Sequence, residues 1–161
     1  MNITRFIGNL QWISPARKLA LYPPFFAMGV RVRLYQKSPV KLHLEIPLNW
    51  RSQNSGGSMF GGWQTALADP VAPMACLMAF ENIHVWTRKL EVDFRRPGNS
   101  DLTLRFEMDE QQRQSIAREL AEQGRADPVF EYGLYRQDGE LCSLARCTVA
   151  IRPEGYKPKR R

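Results

Sequence analysis

From Trp63 to Phe80 the chain is apolar on nearly every side of a helical wheel. Ala66, Leu67, Ala68, Val71, Ala72, Met74, Ala75, Cys76, Leu77, Met78 and Ala79 leave no polar face. A helix of this kind cannot lie on a surface and must be wrapped by the rest of the fold. Three departures mark it. Four glycines (Gly56, Gly57, Gly61, Gly62) crowd its start, one acid (Asp69) sits inside it, and Pro70 and Pro73 follow that acid. Glycines at a helix start let backbone N–H groups approach a ligand closely. A lone carboxylate on an apolar helix costs free energy unless it is paired, solvated or used. Pro70 removes a helical hydrogen bond and crowds the carbonyl of Ala66, and Pro73 does the same to Asp69. A kink or break beside Asp69 is therefore expected.

What wraps this helix is legible from alternation. Val30, Val32 and Leu34 alternate with Arg31 and Arg33, then Val40, Leu42, Leu44, Ile46 and Leu48 alternate after a Ser38-Pro39 break, which predicts an antiparallel hairpin. Leu90, Val92 and Phe94 form a third run that stops at Pro97-Gly98-Asn99. Leu102, Leu104 and Phe106 form a fourth, and Phe130, Tyr132 and Leu134 a fifth. Asp138-Gly139 is a hairpin turn that leads into a last strand from Leu141 to Ile151. Between the fourth and fifth strands, Asp109 to Gly124 is polar and free of proline, so it predicts a short exposed helix ending at Gly124. Residues 3–20 predict an amphipathic helix interrupted at Ser14-Pro15, and Pro23-Pro24 is expected to end any helix in an extended turn.

Strands that are half apolar and half polar make an antiparallel sheet with one face covered. Such a sheet wrapped around one long buried helix is the hotdog architecture, of the α+β class, here with an extra N-terminal helix. The expected organisation is an N-terminal extension over 1–24, a single domain over 25–153 and a basic tail over 154–161.

Composition narrows the function classes. No apolar run approaches the ~20 residues of a membrane span, and Met1-Asn-Ile-Thr-Arg-Phe6 lacks the order of a signal peptide. A soluble cytoplasmic protein is expected. Cys76, Cys142 and Cys147 are an odd count without a secretory signal, which argues for small core residues over disulfides. Only His43 and His84 accompany them, so no metal site is expected and neither histidine has a triad partner by sequence. The net charge is +7, with Lys157, Lys159, Arg160 and Arg161 in the tail. That excess fits a phosphorylated ligand as well as nucleic acid, and no nucleic-acid recognition signature is present.

The spacing of Asn54, Gly57, Phe60, Gly61, Gly62 and Asp69 resembles the hotdog acyl-CoA thioesterases of the phenylacetate-pathway type, in which the slot of Phe60 is usually His. The resemblance extends through Thr87 to Pro97, and the family uses a Ser or Thr at the position of Thr87 near the attacking water. An uncharacterised group of hotdog domains of unknown function is more similar still. It shares Tyr22-Pro-Pro-Phe25, Phe60-Gly-Gly62, Asp69-Pro70 and Val85-Trp86, and covers nearly the whole chain.

Thioester hydrolysis needs donors aimed at the developing oxyanion, an attacking group, and something to orient it. Free N–H groups around Gly61 and Gly62 can be the donors, with Gly57 and Phe60 beside them. Asp69 can be general base or nucleophile. Asn54 can hold the carbonyl or the water, and Thr87 the water. Lys89, Arg95 and Arg96 can meet the phosphates of coenzyme A, which enters as part of the substrate, with no separate cofactor. Gly61 and Asp69 are eight residues apart, ~12 Å along a helix. They cannot reach one carbonyl from the same helix, so the motif predicts a homodimer with two composite sites, with a dimer of dimers left open. The resemblance implies the same arrangement.

Simpler roles stand beside each of these. Asp69 can cap a broken helix before Pro70, and Asn54 can form only a turn. The glycines can serve only packing, Thr87 can be β-branched filler, and Arg95 and Arg96 can be a solvated edge. The alternative to an enzyme is a non-catalytic dimer that binds an acyl group or coenzyme A.

Overall fold

The computed structural model describes residues 12–156. The residues 3–11 of the expected first helix and the basic residues 157–161 lie outside that range. Among the described residues the chain forms α1 (Pro15–Ala20), α2 (Pro23–Met28), β1 (Arg31–Lys37), β2 (Val40–Ile46), α3 (Gly61–Ala79), β3 (Ile83–Phe94), β4 (Leu102–Met108), α4 (Glu110–Gln123), β5 (Val129–Tyr135) and β6 (Leu141–Pro153). The six strands make one antiparallel sheet in the order β1-β2-β4-β5-β6-β3.

The sheet curls around α3, which packs against β2, β3, β4 and β6. Leu67, Ala68, Val71, Ala72, Ala75 and Cys76 of α3 are wholly buried. Val40, Leu42, Leu44 and Ile46 of β2 and Leu102, Leu104 and Phe106 of β4 face them, each strand alternating buried and part-exposed positions as its sequence predicts. Phe106 packs against Phe130 and Tyr132 with ring centres 5.3 and 5.4 Å apart. One long helix inside one antiparallel sheet is the hotdog fold.

Two expectations about proline are corrected. Pro23-Pro24 does not force an extended turn. The pair opens α2, where a missing N–H is harmless and the fixed φ suits a first helical turn. Phe25 of that turn is wholly buried, edge-on to Tyr22. Ser14-Pro15 is the start of α1, with the Ser14 hydroxyl accepting from the N–H of Arg17. The expected break beside Asp69 does not occur either, since α3 runs unbroken for 19 residues through Pro70 and Pro73. The sheet confines the helix, and the carbonyl that Pro73 deprives of its helical partner finds another. Thr87 Oγ1 donates to Asp69 O at 2.9 Å.

The exposed helix falls where its caps predict. Asp109 accepts from the N–H of Gln112 at the start of α4, and Gly124 ends it with a left-handed φ of 66°. All three cysteines are buried and unpaired. Burial pushes the Cys76 thiol up to about 12 and raises Cys142 and Cys147 as well. None has the depressed thiol of a cysteine nucleophile.

Candidate active site

The loop from Asn49 to Phe60 delivers the chain to the start of α3. Ser52 holds it by donating to Pro47 O at 2.8 Å, and the N–H groups of Met59 and Phe60 donate to Gly98 O and Ser52 O. Asn54 organises a tight turn inside this loop. Its side-chain oxygen accepts from the N–H groups of Gly56 and Ser58, its amide donates to Ser58 Oγ, and Gly57 takes the left-handed φ of 78° that the turn requires. The structure thus places Asn54 and Gly57 in a turn, with the Asn54 carbonyl oxygen already engaged.

Gly61 and Gly62 occupy the first turn of α3, after Phe60 as N-cap. Their N–H groups donate to no acceptor among the described residues, as the start of a helix dictates. Each glycine carries an aromatic ring. A Cβ on Gly61 would lie 3.0 Å from the Phe94 ring, and one on Gly62 would lie 2.3 Å from the Phe60 ring. Both rings are half exposed, at 53% for Phe60 and 52% for Phe94. The first turn of α3 therefore lies beside two apolar rings, and a larger residue at Gly61 or Gly62 would have to push a ring aside.

A cavity of about 340 Å³ opens here, lined by Asn54, Gly61, Gln64, Phe94, Arg95 and Arg96 among others. Arg95 and Arg96 are held by their N–H groups, which both donate to Cys142 O. Their side chains pair with Asp93 at 2.8 Å and Glu140 at 3.4 Å, in each case through Nε. Lys89 is not part of this cavity, and its ammonium pairs with Glu91.

Gln64 is a residue of the cavity that no local pattern announces. It is buried, donates to Met59 O at 3.2 Å and accepts from Ser143 Oγ at 2.6 Å. Its partner lies 79 residues away on β6. Replacing Ser143 by Ala leaves a buried amide oxygen without a donor. Thermal or urea denaturation should show a loss of about 1–3 kcal/mol.

Asp69 lies two turns into α3, and its side chain is exposed. Its carboxylate makes no hydrogen bond or ion pair among the described residues. A capping role within its own chain is therefore absent. What is held is the peptide next to it, since Asp69 O accepts from Thr87 and Ala68 O accepts from Tyr132 Oη at 2.8 Å. The exposed positions of α3 are Gly62, Ala66, Asp69 and Leu77, which share one side of the helix. The two histidines lie elsewhere. His43 has a buried Nε2 3.5 Å from Glu107, and His84 lies by Trp86 and Arg152. Among the described residues no cluster of His, Cys, Asp and Glu could hold a metal, and no helix is long and apolar enough to cross a membrane.

A helix wrapped by a six-stranded antiparallel sheet, with a glycine turn at its start and an acid in its middle, defines a protein of the hotdog fold class. The chain belongs to the DUF4442 family, a domain of unknown function that matches residues 12–151. Among solved structures it is similar to PA5026 from Pseudomonas aeruginosa, a protein of unknown function called a probable thioesterase. That likeness has 22% identity, covers 81% of this chain and 87% of that one, and has a TM-score of 0.74. The thioesterase HI1161 from Haemophilus influenzae is 15% identical, with 88% and 91% covered and a TM-score of 0.67. The PaaI protein of the phenylacetic acid degradation operon of E. coli is 19% identical, with 78% and 80% covered and a TM-score of 0.59. At these identities the likeness establishes the fold. No curated protein sequence matches the chain.

Proposed function

We propose that this chain is an acyl-CoA thioesterase for a small or medium acyl group, acting at two sites shared across a homodimer. The observation that carries the reading is the separation of its parts. Asp69 has an exposed, unpartnered carboxylate, while the free N–H groups of Gly61 and Gly62 lie about two turns away on the same rigid helix. One carbonyl cannot touch both from one chain. Two antiparallel copies of α3 bring the start of one to the middle of the other.

Two features support that pairing. β3 is an edge strand of 12 residues with one side unpaired, and an open edge is a template for another strand. Gly62 and Ala66 are small and lie on the exposed side of α3, so a second helix can approach closely.

In this arrangement the thioester oxygen sits against the N–H groups of Gly61 and Gly62 of one protomer. Asp69 of the other takes a proton from water as the water oxygen bonds to the acyl carbon. The negative charge that forms on the carbonyl oxygen is held by donors that need no rearrangement. Collapse breaks the C–S bond, and the proton on Asp69 passes to the departing thiolate. The products are the free acid and coenzyme A. Arg95 and Arg96 flank the same cavity, and their forked guanidinium groups suit phosphate.

The non-catalytic reading rests on Phe60. A half-exposed hydrocarbon ring stands where the thioesterase pattern usually has His, and it adds apolar surface without adding a donor. Turnover of a panel of acyl-CoA thioesters, followed by thiol release, decides between the two. Hydrolysis of at least one member is expected. No turnover together with a raised Tm in the presence of an acyl ligand would sink the enzyme reading and support the binding protein.

A further inference from the structure

We propose that Thr87 is a positioning residue for Asp69 and that it acts through the backbone carbonyl that Pro73 sets free. This deepens the reading of Asp69 as the base and rests on it. In an uninterrupted helix the carbonyl of residue 69 accepts from the N–H of residue 73. Proline at 73 has no N–H, and its ring crowds that carbonyl. The carbonyl of Asp69 is thus left without its helical donor and open to another. Thr87 Oγ1 satisfies it from β3, at 2.9 Å.

The strand is shaped for this contact. β3 carries a bulge between Thr87 and Lys89 in its pairing with β6, where Thr87 faces Val149 and Lys89 faces Thr148. In a regular strand Thr87 and Phe94, seven apart, would point to opposite faces. The bulge changes that parity. Both side chains reach α3, with Thr87 on Asp69 and Phe94 against Gly61. One residue earlier in the helix, the buried Tyr132 reaches across from β5 to Ala68 O. Two successive carbonyls are thereby fastened to two different strands at the root of the Asp69 side chain, and the carboxylate itself is left free.

A threonine has one hydroxyl proton, and here it is spent on the carbonyl. Toward a water molecule Oγ1 can therefore only accept. The two roles separate cleanly, because positioning needs the O–H only for as long as residue 73 lacks an N–H. Returning that N–H with Pro73→Ala removes the need.

The test is the cycle of Thr87→Val, Pro73→Ala and the double variant, with Thr87→Ser as the conservative control. Thr87→Val should lower kcat by roughly 10- to 100-fold, as misplacement of a reacting group does, with KM little changed. Thr87→Ser should stay close to the parent. The double variant should recover most of the lost kcat, because a helical N–H again holds Asp69 O. A double variant as slow as Thr87→Val would show that the hydroxyl acts on water, and would overturn the proposal. Melting temperatures give a readout independent of turnover. Thr87→Val should lower Tm in the parent and not in the Pro73→Ala background, and equal losses in the two would overturn the link. A parent that hydrolyses no thioester defeats the catalytic reading by itself, while the melting-temperature cycle still decides between Thr87 and Pro73.

Discussion

Replacing Asp69 by Asn is expected to lower kcat for a cognate acyl-CoA by roughly 100- to 10,000-fold, the range supplied by a positioned general base. The fold should hardly notice. The side chain is exposed and bonded to nothing among the described residues, and exposed substitutions of that kind usually change stability by less than about 0.5 kcal/mol. The pairing of a large kinetic loss with an unchanged Tm is what separates a working carboxylate from a structural one. Steady-state thiol release and a thermal melt on the same preparation measure both. Turnover within a few-fold of the parent would remove Asp69 from the chemistry.

Mixing two inactive variants should restore activity. Gly61→Pro removes one of the two free N–H groups at a first helical position, where proline is tolerated. The Phe94 ring must give way slightly to admit it, since it lies 3.0 Å from the added Cβ. Asp69→Asn removes the acid. If each site takes its acid from one chain and its donors from the other, a mixed dimer contains one site with both intact parts. Random exchange of equal amounts gives half mixed dimers, each with one of two sites, so about a quarter of parental activity should return. If acid and donors belong to one chain, every mixture stays inactive. Melts of the two parental variants establish that both are folded before they are mixed.

Much of the fold is written locally. Asp109 and Gly124 cap α4 with side chain and left-handed φ, and both signals are read within a turn of the residue concerned. The alternation of Val40 to Ile46 and of Leu102 to Phe106 states directly which face is buried. β3 is only half legible from its alternation, because the bulge resets the parity. Leu90 to Phe94 alternate as one strand, and the stretch Ile83 to Thr87 belongs to the same strand out of step. The effect of Pro73 is not local, because its compensating partner is remote. Nothing near Pro73 reveals that a hydroxyl 14 positions later, on another element, replaces the lost donor. Gln64 shows the same limit, since its meaning comes from Ser143 across the core. Of the candidate site, Gly61, Arg95, Arg96 and Asn54 do converge on one cavity. Asp69 and Thr87 meet each other through a main-chain atom that no side-chain pattern encodes.

The two margins of the sheet are not alike. β1 is short, bulged between Val32 and Leu34, and carries the exposed Arg31, Arg33 and Lys37, two of them tied to Glu45. Charges and a bulge on a brief outer strand discourage a further strand from adding. β3, at the opposite margin, also has a bulge and exposed charges (Arg88, Lys89, Glu91, Asp93), but it is nearly twice as long. In the proposed dimer, joining two copies through the longer margin leaves only the short, charged β1 margins facing outward, so growth of the sheet would stop at a pair instead of running on into a fibre.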